Sequence, residues 1–151
     1  MTNACAVAPI EPRGIGGWLI LPMIGTIFAP IMSMHEFFYH VDVLANNADL
    51  SLQWKIFIRA EIIAAGLMAA GWIYAAFMLF QHKQIYPTLF VGLLAASFLL
   101  SLTDILVAAQ WFGVATEDFY VRNTLRPLFF LVIFGPYMFR SRRVKNTFVY
   151  P

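Results

Sequence analysis

The chain has 151 residues and a formal net charge of +2; 61% of its residues are hydrophobic and only 12% are charged. A soluble domain usually has about a quarter of its residues charged, so this composition excludes a water-soluble globule. The charge balance gives no reason to expect a nucleic-acid partner. The single cysteine excludes an intramolecular disulfide and a cysteine metal cluster. The composition therefore predicts a protein embedded in a lipid bilayer.

A membrane-spanning helix needs roughly 20 predominantly apolar residues. Four apolar stretches predict helices at about 15–36, 55–81, 87–112 and 120–140. Polar loops at 37–54 and 113–119 and a basic tail at 141–151 lie between and after them. The predicted fold class is all-α: one integral membrane domain over residues 1–151, built as a bundle of four transmembrane helices.

The first helix contains two prolines, and its C-terminal side leads into the segment HEFFYH. A zinc-protease helix needs two histidines at i and i+4 on one face. His35 and His40 are five positions apart, although Glu36 and His40 are four apart and could meet. No metal site is predicted here, and His35, Glu36 and His40 are the only residues nominated as candidate ligands.

The second and third helices carry the features expected of interior helices. Ala65 and Ala69, like Gly66 and Ala70, are pairs of small residues four apart, which let two helix backbones approach closely. In the third helix Ser97, Ser101, Asp104 and Ala108 fall at offsets of zero, four, seven and eleven, along one stripe. This small and polar stripe is predicted to face the interior of the bundle.

The apolar part of the fourth helix, from Leu128 to Phe139, is too short to span a bilayer alone. The helix must extend back towards Tyr120 and so carries Arg126 into the membrane. Ionisable groups of several helices then share one depth. We predict an intramembrane polar cluster of Asp104, Arg126, Arg59, Glu61 and Ser101.

Asp104 is expected to meet Arg126 or Arg59, because an unpaired charge costs roughly 2.5–3.5 kcal/mol in the middle of a membrane helix. Two interpretations of this cluster stay open. An ion pair could fix the register of the helices and bind nothing. Alternatively, the cluster could line an outward-facing pocket that holds a headgroup, an ion or a proton, with Asp104 as the acceptor.

The sequence contains no enzyme signature: it lacks a G-x-S-x-G elbow, a P-loop and a glycine fingerprint. The three histidines are not spaced as a bis-histidine haem site. We therefore predict no catalytic residue and no cofactor; a membrane enzyme is the third interpretation, with no residues to nominate beyond His35, Glu36 and His40.

Two stretches at opposite ends of the chain carry a family resemblance: GIGGWLILPMIG at Gly14–Gly25 and SRRVKNTFV at Ser141–Val149. They resemble the signatures of an uncharacterised bacterial inner-membrane family catalogued as domain of unknown function 2569. The resemblance implies a small four-helix protein of the bacterial inner membrane and no assigned activity. It also implies a cytoplasmic motif surface, formed by Gly16, Gly17, Trp18, Arg143 and Lys145.

The leading functional interpretation is a non-enzymatic binding or accessory protein for a membrane partner or a lipid. Its partners would be the lipid bilayer and either another membrane protein or further copies of the chain. The alternative is a small carrier or an ion- or proton-coupled transporter that uses the Asp–Arg cluster.

The distribution of basic residues predicts that both termini lie in the cytoplasm, because cytoplasmic flanks carry excess Lys and Arg. The flanks on the side of the termini hold six basic residues: Arg13, Lys83, Arg140, Arg142, Arg143 and Lys145. The other flanks hold four: Lys55, Arg59, Arg122 and Arg126. A reporter enzyme that works only in the cytoplasm should be active when it is fused to the C-terminus. Activity of a reporter that works only on the outer side would contradict this topology.

Overall fold

The computed structural model describes residues 17–112 and 118–150, and their secondary structure is helical apart from turns and one isolated bridge. After one 3₁₀ turn at Gly17–Leu19, the helices are α1 (Ile20–Asn46), α2 (Leu52–Phe80), α3 (Tyr86–Phe112), α4 (Asp118–Arg140) and α5 (Arg142–Thr147). The predicted all-α class is confirmed.

Three helical segments are long and apolar enough to cross a membrane: Gly17–Asn46, Leu52–Phe80 and Tyr86–Trp111. Their outward surfaces are apolar, as shown by Leu67 and Ile63 of α2, whose side chains are 69% and 64% exposed. Such a surface suits lipid and not water. α4 is not among the three, so the count of four spans stays a prediction.

The predicted loop at 37–54 is wrong for most of its length, because α1 continues to Asn46 and α2 begins at Leu52. The aromatic and polar residues after His35 do not stop a helix. The Asn46 side chain donates a hydrogen bond of 2.7 Å to Asp42, one turn earlier on the same face. The predicted residues 15–16 and most of the second loop, 113–117, lie outside the described residues.

The helices pack as two hairpins, α1 with α2 and α3 with α4, and the hairpins meet through a less extensive contact between α2 and α3. α2 contacts both α1 and α3 and faces lipid on one side only; Ala65 and Ala69 on its packed side are buried. Close approach to α3 depends on Gly71, where a β-carbon would lie 2.7 Å from a methyl group of Leu93. Small residues thus set the helix spacing.

A buried hydrogen-bond chain ties α1 to α3. The hydroxyl of Thr26 donates to the carbonyl of Pro22 at 2.8 Å. Its oxygen lies 2.8 Å from the Tyr86 hydroxyl, and since the Thr26 hydrogen is already used, Tyr86 is the donor. Pro22 lies in the first turn of α1, where its missing N–H costs no helical hydrogen bond.

The predicted basic tail is not a free tail. α5 and the residues after it, here called the terminal cap (142–150), fold back across the end of the bundle where α1 begins and α2 turns into α3. Val144, Thr147 and Phe148 are buried, and the Phe148 ring lies 4.7 Å from that of Tyr86. The spacing of these three residues, i, i+3 and i+4, gives the short helix one inward face.

Backbone hydrogen bonds hold the last residues of the terminal cap to the turn between α2 and α3. The Gln84 N–H donates to the Tyr150 carbonyl at 2.8 Å, and the Tyr150 N–H donates to the His82 carbonyl at 3.3 Å. His82 has a positive φ of 53°, which turns the chain tightly enough to present its carbonyl. The terminal cap is therefore an integral part of the packed core.

Replacing Thr26 with Val should destabilise the protein by about 1–3 kcal/mol, because the Tyr86 hydroxyl loses its acceptor in a buried site. Tyr86→Phe should cost less, about 0.5–1.5 kcal/mol, because Thr26 keeps its bond to Pro22. Thr26→Ser is the control and should be close to wild type. The free energy of unfolding, measured by denaturation in mixed micelles, checks all three; equal stability of Thr26→Val and Thr26→Ser would contradict the assignment.

Candidate functional site

The side chains of Glu61 on α2 and Asp104 on α3 are hydrogen-bonded to each other. Both lie within the candidate membrane spans and both are partly buried. An ionised carboxylate has no hydrogen to donate, so a bond between two carboxyl groups requires a proton on one of them. We call Glu61 and Asp104 the carboxyl pair.

α1 adds two ionisable residues beside the carboxyl pair. Glu36 and His40 lie close enough to interact electrostatically with Asp104. The Nδ1 atom of His40 is buried and has no hydrogen-bond partner in the described structure. Three helices therefore bring three carboxyl groups and one imidazole together at one end of the bundle.

The structure does not bring the predicted arginines to Asp104. Arg59 and Arg126 are exposed, and within residues 17–112 and 118–150 the groups that interact with Asp104 are Glu36, Glu61 and His40, with no ion pair to either arginine. The reason is helical geometry, since two positions along a helix correspond to about 200° of rotation. Arg59 is two residues from Glu61, and Arg126 is two residues from Thr124, which faces α3.

Ser101 was predicted to join the polar group around Asp104, but its hydrogen bonds are made with other residues of α3 and α4. Its hydroxyl donates to the carbonyl of Ser97 at 3.0 Å, and its own carbonyl accepts a bond of 3.4 Å from the Thr124 hydroxyl on α4. Ser101 therefore joins α3 to α4 one helical turn from Asp104.

His35, Glu36 and His40 are not assembled into a metal centre: within the two described ranges no group of three or more His, Cys, Asp or Glu could hold a metal ion. His35 is exposed, and the five-residue spacing turns it away from His40. A surface depression at the same end of α2 and α3 is lined by Gln53, Ile56, Gln110 and Trp111, and not by the carboxyl pair.

The sequence pattern missed Glu36 and His40 as neighbours of Asp104. Their four-residue spacing puts them on one helix face, which was the available signal. The signal was lost because the segment after residue 36 was assigned to a loop. Once α1 is extended through Asn46, both side chains lie along α1 beside the ends of α2 and α3 that carry the carboxyl pair.

The two motif stretches from opposite ends of the chain meet at the other end of the bundle. Gly17 has a positive φ of 63°, and a β-carbon at this position would collide with Nη1 of Arg143. Trp18, beside Gly17, is 67% exposed, and Lys145 is exposed on α5. Gly16 lies outside the described residues. Gly17, Trp18, Arg143 and Lys145 therefore share one exposed end of the molecule.

Comparison with known proteins finds one family match, which covers nearly the whole chain. The model of a family described as "Protein of unknown function (DUF2569)" matches residues 12–149. This range includes both motif stretches, all three candidate membrane spans and the terminal cap up to residue 149. No curated protein and no solved structure matches the chain.

Gly17→Ala should destabilise the protein by roughly 1–2 kcal/mol, because alanine disfavours the left-handed backbone conformation and its methyl group displaces the Arg143 side chain. Gly25→Ala is the matched control: Gly25 lies inside α1 with no heavy atom within 4 Å of an added β-carbon, so alanine should be neutral or stabilising by about 0.5–1 kcal/mol. Thermal unfolding in detergent checks both variants, and equal responses would contradict the contact between the termini.

Proposed function

This chain belongs to the DUF2569 family, which has no assigned activity, and we propose that it is a small four-span membrane protein that binds and releases a proton at the carboxyl pair. In this proposal it works as an ion- or proton-coupled carrier and not as an enzyme. The observation that carries the proposal is the hydrogen bond between Glu61 and Asp104.

A proton is the ligand that best fits the chemistry of the carboxyl pair. Two ionised carboxylates side by side repel each other, whereas one shared proton turns the contact into a hydrogen bond. The described neighbours add Glu36 and His40, and the two predicted arginines, Arg59 and Arg126, are exposed. The group is therefore better suited to a proton or another cation than to an anionic substrate.

The position of the carboxyl pair supports coupling between the proton and the packing of the helices. The two hairpins meet mainly through α2 and α3, and Glu61 and Asp104 belong to these two helices. Protonation holds the hairpins together at this end, and deprotonation replaces attraction by repulsion. A carrier needs such a two-state element whose equilibrium is biased by its ligand.

Infrared spectroscopy tests the proposal without knowledge of a substrate. The reconstituted wild type should show the C=O stretching band of a protonated carboxylic acid at neutral pH. Glu61→Gln and Asp104→Asn should each remove that band, because the amide donates a hydrogen bond to the remaining carboxylate and no proton is needed. Asp42→Asn, which removes an exposed carboxyl group bonded only to Asn46 in the described structure, should leave the band unchanged.

A band that survives in both Glu61→Gln and Asp104→Asn would refute proton binding at the pair. The carrier role has its own readout. Liposomes that contain the protein and a pH-sensitive dye should show proton movement under an imposed potential in the wild type and in Asp42→Asn. The two variants could lose the infrared band while the wild type shows no proton flux. In that case the protein binds a proton but is not a carrier.

A second candidate function is a non-enzymatic binding or accessory role, and the terminal motifs favour it. Gly17 and Arg143 come from the two ends of the chain and lie in contact, next to exposed Trp18 and Lys145. Packing alone does not require an exposed tryptophan beside basic residues. A stoichiometric polypeptide in native mass spectra of the gently extracted protein would identify the accessory role.

The topology and location follow the same proposal. We infer that α4 is the fourth span, since its exposed side chains include Phe129 and Val132, which are 63% and 64% exposed. With four spans both termini lie on one side, and the basic flanks favour the cytoplasmic side of a bacterial inner membrane.

A further inference from the structure

We propose that the outer face of the terminal cap binds the phosphate groups of anionic phospholipids in the membrane that holds the protein. The inference rests on the binding role offered as the second candidate function, and it names the ligand. It is independent of proton binding at the carboxyl pair, which lies at the opposite end of the bundle.

Charge is strongly segregated between the two ends of the described structure. The cap end carries five basic residues: Lys83, Arg140, Arg142, Arg143 and Lys145. None of the acidic residues in 17–112 and 118–150 lies in the first turn, in the α2–α3 turn or in the terminal cap. The carboxyl groups Glu36, Glu61 and Asp104 belong to the other end. The described residues of the cap end therefore include basic side chains and no carboxyl side chain, and Arg142 and Lys145 are exposed there.

The basic side chains of the short helix α5 face outward because its apolar side packs against the bundle core. Val144 is 1% exposed and Thr147 is fully buried, and both face the bundle core. Arg142 lies two positions before Val144, Lys145 lies between Val144 and Thr147, and both basic side chains are exposed. The terminal cap is thus an amphipathic segment whose apolar side packs on protein and whose cationic side faces away from the core.

The depth of the terminal cap selects lipid over a soluble ligand. The cap lies across the start of α1 and the turn between α2 and α3, where one candidate span ends and two begin. The ends of spanning helices lie at the level of the lipid headgroups. Trp18 and Tyr150, which are 67% and 49% exposed, lie at the same level, where amphipathic aromatic rings are enriched.

Defined lipids and native mass spectrometry test this inference. The purified full-length protein is mixed with phosphatidylglycerol or with phosphatidylcholine of the same acyl chains. The wild type should retain phosphatidylglycerol preferentially, because basic residues near an anionic surface each add a few-fold to the affinity. The double variant Arg142→Gln/Lys145→Gln should lower phosphatidylglycerol retention by about tenfold and leave phosphatidylcholine retention unchanged.

The matched control is Arg59→Gln/Arg126→Gln, which removes two exposed arginines elsewhere and causes the same change in net charge. It should keep the wild-type lipid preference, and thermal unfolding of both double variants should confirm that they remain folded. Equal lipid loss in the two double variants, or an unchanged preference in Arg142→Gln/Lys145→Gln, would overturn the inference. A partner polypeptide retained without any lipid preference would also overturn it, while the binding role itself would stand.

Discussion

The structure depends on one constraint, that polar groups within the membrane spans must find partners inside the protein because lipid offers none. The hydroxyl of Ser97 bonds back to the carbonyl of Leu93 on its own helix. Thr26 and Tyr86 satisfy each other across α1 and α3. The carboxyl pair follows the same rule, since Glu61 and Asp104 contact each other and neither is paired with Arg59 or Arg126 in the described residues. Helix packing and the candidate site are thus two results of one requirement.

The two ends of the bundle differ in their ionisable groups and in their packing. At one end ionisable groups of α1, α2 and α3 come together beside the contact between the two hairpins. At the other end the terminal cap closes the core with Phe148 against Tyr86 and keeps basic side chains on the surface. The first end is suited to a small ligand such as a proton, and the second to an extended anionic surface. A membrane protein of this size can carry both because the α2 and α3 helices separate them.

The sequence was informative about Asp104 and wrong about its partners. An acid in an otherwise apolar helix had to face a polar group, and it faces Glu61, which the cluster prediction contained. Arg59 and Arg126 were predicted as partners of Asp104 only because they lie at the same depth in the membrane. Depth follows from position along the chain, but direction around a helix requires knowing which face is packed, and Arg59 lies about 200° from Glu61. His40 was missed because residues 37–54 were assigned to a loop, and Glu36, the last residue of the predicted first helix, was left out of the cluster.

The sequence by itself determined the helical class, the candidate spans and the membership of the family, because apolar length and short motifs are local properties of the chain. Only the tertiary structure decided that the C-terminal residues fold back onto Gly17, and that Glu61 and Asp104 share a hydrogen bond. These are contacts between residues far apart in the chain. They depend on the crossing and rotation of helices, which are set by packing at positions such as Gly71 and Leu93 and not by local sequence pattern.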